Sequence, residues 1–407
     1  MARIRYREIG SSTGFSALLA VLALFILGGL ASAWYMEHHG HIVTGMNNLV
    51  VWGMPHVFAV FLIVTASGVL NVASIGTVFG RTPYKPMARL SGLLAIAFLV
   101  GGLAVLVLDL GRPDRLIVAM TTYNFKSIFA WNIFLYVGFL IVVAAYLFVQ
   151  MERTMSGYTR AVGWFAFVWR LVLTTGTGSI FGWLVARQAY DAAVMAPLFI
   201  AMSFSFGLAA FLLIILAVCR VEGRDLGDGI LTRLGRLLGV FAAAVLYFTS
   251  VQHLTNLYAA EHAGVERFIL FEGGIYTLLF WGVQVILGGL VPIALLYAPE
   301  LSAVRLRVAL ASALVIIGGL AQIYVIIIGG QAYPLVLFPG MDVQSSANDG
   351  AVTSYAPSLP EVALGLGGVA LALAIAVIGL KILRFLPVSL ADEIVDPAHA
   401  QTSGAGA

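Results

Sequence analysis

The chain has 407 residues, of which 61% are hydrophobic and 10% are charged, and its formal net charge is +3. Soluble domains carry about 25% charged residues, so this composition excludes an ordinary water-soluble protein. No basic face with interleaved aromatic residues lies outside the apolar segments, which excludes a nucleic-acid partner. The single cysteine, Cys219, excludes an iron–sulfur cluster or an internal disulfide held by this chain alone.

Ten long apolar segments follow one another along the chain, and each is close to the ~20 residues that a helix needs to cross a bilayer. None shows the alternating pattern of barrel strands, so the predicted fold is an all-α integral membrane protein. The first segment runs into Trp34-Tyr35-Met36-Glu37 rather than a small-residue cleavage site, which predicts a retained helix. The segments cover approximately residues 15–35, 50–72, 89–110, 127–149, 160–185, 195–219, 235–258, 273–297, 306–330 and 360–383.

Basic residues distinguish the two sides of this predicted membrane domain. Sixteen of the 22 Lys and Arg residues fall on one side, five fall on the other, and Arg170 lies within a segment. Because positive charge favours the cytoplasmic side, both termini are predicted to lie inside, in a bacterial cytoplasmic (inner) membrane. The inner set is Arg3, Arg5, Arg7, Arg81, Lys85, Arg89, Arg153, Arg160, Arg220, Arg224, Arg233, Arg236, Arg305, Arg307, Lys381 and Arg384. The outer set is Arg112, Arg115, Lys126, Arg187 and Arg267.

Two stretches of the chain resemble each other. Asp109 follows Arg89 by 20 residues at the end of the third segment, and His253 follows Arg233 by 20 residues in the seventh. At about 1.5 Å per residue, Asp109 and His253 each lie about 30 Å beyond their arginine, near the outer interface. This spacing predicts two parallel four-helix bundles, spans 2–5 and 6–9, with spans 1 and 10 added.

The chain outside the spans has two longer regions. Residues 331–360, on the predicted outer side, are too long for a simple connection and mix apolar residues with prolines. Two interpretations stay open for them: an ordered flap on the membrane surface, or a docking surface for an outer partner. The chain end is small and polar, so we predict a ten-helix transmembrane domain over 1–385 and a disordered cytoplasmic tail over 386–407.

Arg170 is the basic residue predicted to lie near the membrane midplane, ten residues after Arg160. An arginine at that depth costs about 2.5–3.5 kcal/mol on insertion scales, so it is a candidate functional residue. Two interpretations stay open: it ties helices together through backbone carbonyls, or it takes part in proton or ion movement. Possible partners are Thr174, Thr175, Gln284, Gln322 and the carbonyls of residues 174–179.

Most other polar residues of the spans gather at their predicted outer ends. A lone histidine at a helix end is usually a satisfied interfacial residue, so the functional prediction depends on the group as a whole. His38, His39 and His41 lie in the first outer loop, where no spaced carboxylate or thiol completes a metal site. The group comprises His56, Asp109, Trp131, Asn132, His253, Asn256, Tyr258, Glu272 and Tyr276.

A quinone is the kind of ligand that such a group can bind. It needs an apolar crevice open to lipid, with a donor such as His, Asn or Tyr for each oxygen, and quinol oxidation also needs a base. Histidine, with an ordinary pKa of about 6.5, suits that task, and a nearby carboxylate strengthens it. A b-type haem would instead need an axial pair such as His56 and His253, and a di-haem chain would need four histidines at two depths.

Four motifs carry a resemblance to a known family. They are Trp52-Gly-x-Pro-His56, residues 71–80 (NVASIGTVFG), residues 109–115 (DLGRPDR), and Asn124-Phe-Lys-Ser-Ile-Phe-x-Trp131-Asn132. Together they resemble the polysulfide-reductase membrane-subunit family (NrfD/PsrC-like). Within it they are most similar to the ten-helix DsrP-like subunits of dissimilatory sulfur-redox complexes. The motifs span roughly residues 45–330, and the Asp-Leu-Gly-Arg-Pro run is the most specific of them.

The resemblance implies a membrane subunit with two four-helix bundles that holds no haem or iron–sulfur cluster of its own. It implies a quinone, menaquinone or ubiquinone, bound near the outer face beside a docked ferredoxin-like iron–sulfur subunit. A multihaem cytochrome c outside and further membrane and cytoplasmic subunits would complete the complex. It also implies that Asp109 matches the family's acidic residue at a helix end, and that protons move inward from the quinone site.

We therefore expect a quinone-linked electron-transfer subunit that is not an independent enzyme. His56, Trp131, Asn132, His253, Asn256, Tyr258 and Tyr276 are expected to bind the quinone in a single crevice, and Asp109, Glu272 and Arg170 to handle protons. A secondary transporter is one alternative, which uptake into liposomes would test. A b-type cytochrome, testable by its absorption spectrum, and a simple membrane anchor, testable by binding of a quinone analogue, are the others.

Overall fold

The computed structural model describes residues 4–298, 303–335 and 350–396, and within them the chain is almost entirely helical. The predicted all-α membrane fold is confirmed. The long helices are α1 (Thr13–His39), α2 (Met54–Thr77), α3 (Ala88–Leu108), α4 (Ile128–Met151), α5 (Thr159–Gly182), α6 (Met195–Glu222), α7 (Asp228–Tyr258), α8 (Ile275–Tyr297), α9 (Val304–Ala332) and α10 (Leu359–Ile382). Two of them contain π-helical stretches, Leu279–Leu290 in α8 and Val325–Gly329 in α9.

Shorter elements join these helices. Single turns or short helices are His41–Val43, Thr82–Met87, Pro113–Arg115, Leu116–Thr121, Ser156–Tyr158, Ala260–His262, Ala263–Arg267, Phe268–Glu272 and Asp392–Val395. The strands β1 (Tyr6–Arg7) and β2 (Leu386–Pro387) pair antiparallel, with Tyr6 opposite Pro387. Two segments far apart in the chain, one before α1 and one after α10, therefore meet.

Nine of the long helices are long and apolar enough to cross a membrane, judged by length and composition over the described residues. The tenth, α5, has 24 residues but carries Arg170 and a polar Thr-Gly-rich run, which lower its mean hydropathy. The chain is thus a multi-pass integral membrane protein. The count of ten spans and the placement of both termini inside stay predictions.

The long helices form two groups of four. In the first, α2 packs on α3 and α5, and α4 packs on α3 and α5; in the second, α6 packs on α7 and α9, and α8 packs on α9 and α7. Contacts of α6 with α2 and α5 join the groups, and α10 packs on α1, α2 and α3. The predicted grouping of spans 2–5 and 6–9, with spans 1 and 10 added, is confirmed by these contacts.

Small residues bring α2 and α6 together where the two groups meet. A Cβ atom added at Gly68 of α2 would collide with the carbonyl oxygen of Ser203, and one added at Gly207 of α6 would collide with the backbone of Gly68. Helices in a membrane associate through such close packing because lipid offers no hydrophobic drive between them. The two bundles are therefore held in van der Waals contact along this crossing.

The predicted disordered tail is wrong for residues 386–396. The carboxylate of Asp392 accepts hydrogen bonds from the backbone N–H groups of Gly229 (2.8 Å) and Ile230 (3.0 Å) in the first turn of α7. Asp396 lies 2.9 Å from Arg233. These negative groups stabilise the start of α7, because free N–H groups at a helix N-terminus favour anions. The folded unit therefore extends past the predicted boundary at 385; residues 397–407 of the predicted tail lie outside the described residues.

The α2–α6 crossing can be tested with Gly68→Val. The added isopropyl group collides with the Ser203 carbonyl and must push the bundles apart, which should cost at least about 1–3 kcal/mol. We expect a clearly lower melting temperature for the purified protein in detergent. Gly28→Val is the matched control, because a Cβ at Gly28 meets no atom within 4 Å. Equal melting temperatures for the two variants would show that the crossing is looser than described.

Candidate functional site

A cavity of about 400 Å³ lies among α2, α3, α4 and α5, at the end of the first bundle that is predicted to face outward. Its lining is mainly apolar, and Phe129 and Val137 are also exposed on the outer surface of the bundle. The cavity is thus accessible from the side of the bundle that faces lipid. It is lined by Trp52, His56, Val60, Ile63, Leu103, Leu106, Val107, Leu110, Leu116, Met120, Phe129, Asn132, Ile133, Tyr136, Val137, Thr177, Ile180, Phe181 and Ile327.

His56 and Asp109 meet at the rim of this cavity. The Nδ1 atom of His56 lies 2.8 Å from Oδ2 of Asp109, and the Asp109 side chain is only 1% exposed. The angles fall short of a hydrogen bond, and neither carboxylate oxygen has a hydrogen-bond partner among the described residues. A buried carboxylate without other partners is stabilised by a positive charge or a proton nearby, and the imidazole of His56 can supply either.

His56 separates the apolar cavity from a second, polar space. A vestibule of about 510 Å³ is lined by His41, Asn47, Asn48, Asp109 and, again, His56. His56 therefore borders both spaces, and Asp109 borders the vestibule. Since Nδ1 faces Asp109, the second ring nitrogen, Nε2, is left for a ligand or for solvent.

Aromatic side chains hold the His56 ring in place. Trp52 stacks over His56 with ring centroids 5.9 Å apart. The ring of Trp52 also lies next to those of Tyr190 (6.4 Å) and Phe181 (5.9 Å). Tyr190 in turn donates a hydrogen bond to the carbonyl of Ile327 in α9. This stack fixes one wall of the cavity with flat, apolar surfaces, which suit a planar ring.

Asn132 of α4 presents an acceptor to the same cavity. Its Nδ2 donates to the carbonyls of Ile128 (2.9 Å) and Gly176 (3.1 Å), which fixes the orientation of the amide. Its Oδ1 is buried and has no partner among the described residues. Tyr136 lies one turn farther along α4, with its hydroxyl 3.4 Å from that of Thr177. A buried acceptor left unpaired beside a cavity becomes a partner for a ligand hydroxyl once the lining moves enough to expose it.

The loop before α2 is tied to other helices by side chains. Gln331 of α9 accepts hydrogen bonds from the N–H groups of Val51 and Trp52, each at 3.0 Å, and donates to the carbonyl of Trp52 at 2.9 Å. Arg187 donates to the carbonyls of Leu49 (2.6 Å) and Gln331 (2.9 Å). Burial lowers the pKa of Arg187. These bonds fix Trp52, and with it the stack on His56.

A fully buried carboxylate, that of Glu361, supports the start of α2. Tyr355 donates to Oε1 of Glu361 at 2.7 Å and accepts a hydrogen bond from the N–H of Met54, also at 2.7 Å. Oε2 of Glu361 accepts from the N–H groups of Gly45 and Ser358, each at 2.8 Å. Burial, together with the bond to Glu361, raises the pKa of Tyr355, so that its hydroxyl remains a donor at neutral pH.

A second pair of histidine and carboxylate lies in the second bundle. Nδ1 of His253 lies 2.6 Å from Oε2 of Glu266, and Asn256 donates to Oε1 of Glu266 at 2.8 Å. The His253 ring packs edge-on against Phe280 of α8, with centroids 4.7 Å apart. None of these residues lines the cavity of His56. The expectation that His56, Asp109 and His253 converge on a single crevice is therefore wrong, because α7 packs on α6, α8 and α9 rather than on α3 or α4.

The other residues predicted to bind the quinone or to move protons lie in different parts of the structure. Trp131 is half-exposed and donates to the carbonyl of Phe125, outside the cavity lining. Tyr258 is 95% exposed, and Glu272 pairs at the surface with Arg267 at 2.7 Å. Tyr276 is buried against Tyr324. Glu272 thus forms a surface ion pair and lines neither the His56 cavity nor the vestibule, and the relay through both carboxylates stays a prediction.

Arg170 is buried and bonds to backbone, which matches the first of its two interpretations. Its guanidinium donates to the carbonyl of Ser67 in α2 at 3.2 Å and lies 4.8 Å and 5.0 Å from the rings of Phe167 and Phe204. The predicted partner Thr174 bonds to the hydroxyl of Ser67 and to the backbone carbonyl of Arg170, not to the guanidinium. Arg170 thus ties α5 to α2 and α6, while its part in proton movement stays a prediction.

Several site residues were missed from the sequence. Tyr136 follows Asn132 by four residues, so it shares a helix face with it, and that spacing was an available signal. Glu266 is brought to His253 by a reversal of the chain after Tyr258, which leaves no spacing signal. Glu361 and Tyr355 lie far along the chain from the site that they support. Only tertiary packing brings these residues together.

The chain is similar to known proteins over both of its helix bundles. A family model described as Polysulphide reductase, NrfD matches residues 42–334, which contain α2 to α9. The Hdr-like menaquinol oxidoreductase integral membrane subunit of Archaeoglobus fulgidus is 28% identical over 97% of this chain and 99% of its own length. A putative dimethyl sulfoxide reductase membrane subunit of Halobacterium salinarum is 29% identical over 95% and 94%. One of the polysulfide reductase chains of Wolinella succinogenes is 24% identical over 58% and 80%.

The Glu361 support can be tested with Tyr355→Phe. Loss of the hydroxyl leaves the N–H of Met54 without its acceptor and removes one donor from a buried carboxylate, which should destabilise the fold by about 1–3 kcal/mol. Thermal unfolding of the purified protein in detergent measures this. Tyr258→Phe is the matched control, because that hydroxyl lies on an exposed side chain. If both variants have the melting temperature of the wild type, the network does not stabilise the start of α2.

Proposed function

The chain belongs to the polysulphide reductase NrfD family, and from this premise we propose that it is a quinone-interacting subunit of a multi-subunit oxidoreductase. Quinol enters from lipid into the cavity of the first bundle and delivers its electrons to a partner at the outer face. The chain itself is not an independent enzyme. The observation that carries the proposal is the His56–Asp109 pair, placed between an apolar cavity and a polar vestibule.

The cavity suits a quinone head group in size and lining. Its volume of about 400 Å³ falls within the ~300–1,000 Å³ common for small-molecule sites, which are mostly apolar with a few placed polar groups. Trp52, Phe129 and Phe181 offer flat surfaces for a planar ring. The exposed Phe129 and Val137 mark the side from which an apolar tail extends into lipid.

Proton removal is assigned to His56. Oxidation of one quinol releases two electrons and two protons, and Nε2 of His56 accepts a proton from the hydroxyl beside it. The imidazolium formed is stabilised by the buried carboxylate of Asp109, less than 3 Å away. Because His56 also lines the vestibule, the proton leaves on the predicted outer side, and the neutral imidazole accepts the second proton once the ring has turned its other hydroxyl toward Nε2.

Asn132 is assigned to the other end of the quinol. Its unpaired Oδ1 accepts a hydrogen bond from the second hydroxyl, while its own Nδ2 is held by two carbonyls. The amide orients the ring without changing its charge. Tyr136 and Thr177 form the polar floor beside it.

The finer assignments are proposals that follow the relatives and the motif resemblance. The quinol is menaquinol, as the name of the Archaeoglobus relative states for that protein. We place the chain in a sulfur-metabolism complex in the cytoplasmic membrane, of the DsrP-like kind. Its outer partners are a ferredoxin-like iron–sulfur subunit and a multihaem cytochrome c, with other membrane and cytoplasmic subunits. Oxidation of the quinol outside contributes to proton translocation.

The two histidine–carboxylate pairs make a matched test. His56→Asn in the intact complex should lower quinol-dependent reduction of the outer partner by about 100-fold or more, the usual contribution of a general base. His253→Asn removes a ring that also faces a buried carboxylate, in the second bundle, and should leave turnover within a few-fold of wild type. Steady-state oxidation of a soluble menaquinol analogue by the purified complex measures both.

Binding separates this proposal from a purely structural role of His56. A fluorescent hydroxyquinoline N-oxide, a quinol-site inhibitor, should lose fluorescence on binding to wild type and to His253→Asn, and bind His56→Asn more weakly. Melting temperatures establish that each variant is folded. Loss of turnover in His253→Asn with full activity in His56→Asn would move the quinol site to the second bundle and refute the proposal.

A further inference from the structure

A second polar cavity lies at the opposite end of the first bundle, on the predicted inner side. It has a volume of about 480 Å³ and is formed by the turn between α2 and α3, the end of α4 and the start of α5. Three of its lining residues are basic, Lys85, Arg89 and Arg160, and none is acidic. The cavity is thus built for an anion.

The three basic groups are not neutralised by carboxylates of the described residues. The Arg89 guanidinium donates to the carbonyls of Gln150 (2.9 Å) and Arg384 (3.3 Å) and lies 4.2 Å from the centre of the Tyr6 ring. It is held in one position but keeps its charge. Lys85 and Arg160 are exposed at the mouth of the cavity.

Uncharged donors add to this positive field. The Nε2 atom of Gln150 is buried and has no partner among the described residues. The N-terminus of α5 also lies at the cavity, where Ser156, Gly157 and Thr159 form part of the lining and the helix start has no side-chain cap. The N–H groups of Ser156, Tyr158 and Thr159 already bond backbone carbonyls. The start of α5 therefore contributes the positive end of its helix dipole, which adds to the three basic side chains.

An apolar surface adjoins the basic cavity. Phe79 lines the cavity and is 54% exposed. It packs edge-on against Trp164 and Phe167 of α5, with ring centroids 6.0 Å and 5.4 Å apart. Trp164 follows Arg160 by four residues, so it lies on the same helix face one turn deeper into the membrane. A ligand with an anionic head and an apolar tail matches this order of groups.

We propose that this cavity binds the phosphate of an anionic phospholipid of the inner leaflet, with the acyl chain lying against Phe79 and Trp164. Basic pockets between membrane helices on the cytoplasmic side bind anionic head groups. The lipid links the α2–α3 turn to the start of α5, and so braces the end of the first bundle opposite the His56 cavity. Free phosphate shares the chemistry of the head group but makes no use of the aromatic surface.

Quenching of tryptophan fluorescence by brominated lipids tests the proposal. The full-length protein is placed in phosphatidylcholine nanodiscs that contain a low mole fraction of brominated phosphatidylglycerol or, separately, brominated phosphatidylcholine. We expect stronger quenching by the phosphatidylglycerol, and loss of that difference in Trp164→Phe. The double variant Lys85→Gln/Arg160→Gln should weaken apparent binding by about fivefold for each charge removed.

The control variant Arg115→Gln/Lys126→Gln removes two exposed charges at the opposite end and should quench like wild type. Melting temperatures show whether each variant is folded. Equal quenching by the two lipids, or an unchanged double variant, overturns the proposal. Addition of inorganic phosphate tests whether the ligand is a free anion. If phosphate raises the melting temperature and phosphatidylglycerol quenches no more than phosphatidylcholine, the cavity binds a free anion and the lipid assignment is wrong.

Discussion

The burial of Asp109 is the constraint on which the outer end of the first bundle depends. Its side chain is 1% exposed, and His56 is the ionisable partner that approaches it. An isolated buried carboxylate costs several kcal/mol, so Asp109 depends on the imidazole that lies beside it. A histidine next to a buried carboxylate, which lines both an apolar cavity and a vestibule, is suited to pass protons from one to the other.

Other residues at the outer end hold this pair in position. Gln331 holds the backbone of Trp52, and Glu361 with Tyr355 holds that of Met54, so the chain just before Pro55 is fixed by α9 and by the segment that leads into α10. These partners lie outside the first bundle. The position of His56 thus depends on packing of the first bundle against α9 and α10, and not only on the helices that line its cavity.

Hydropathy and charge predicted the helices well, because a membrane imposes one length and one polarity on every span. The predicted segment 195–219 lies inside α6, and 306–330 lies inside α9. The ends were less accurate. Helix α7 begins at Asp228 rather than 235, since Asp392 binds its first N–H groups and adds two turns outside the apolar run. No local sequence pattern predicts that contact.

The site shows that the depth of a residue along its helix is not enough to predict its contacts. The 20-residue spacing placed Asp109 and His253 correctly near the ends of their helices, yet depth does not tell which neighbours a side chain faces. His56 lies on the first helix of its bundle and pairs with a carboxylate at the end of the second helix. His253 lies on the second helix of its bundle and pairs with Glu266 from the following connection. The two pairs are therefore not equivalent positions of a repeat, and the first contributes His56 to both the apolar cavity and the vestibule, neither of which His253 or Glu266 lines. Two bundles with the same helix order can thus differ in chemistry, because a proton-transfer site needs an opening on both sides of the pair as well as the pair itself.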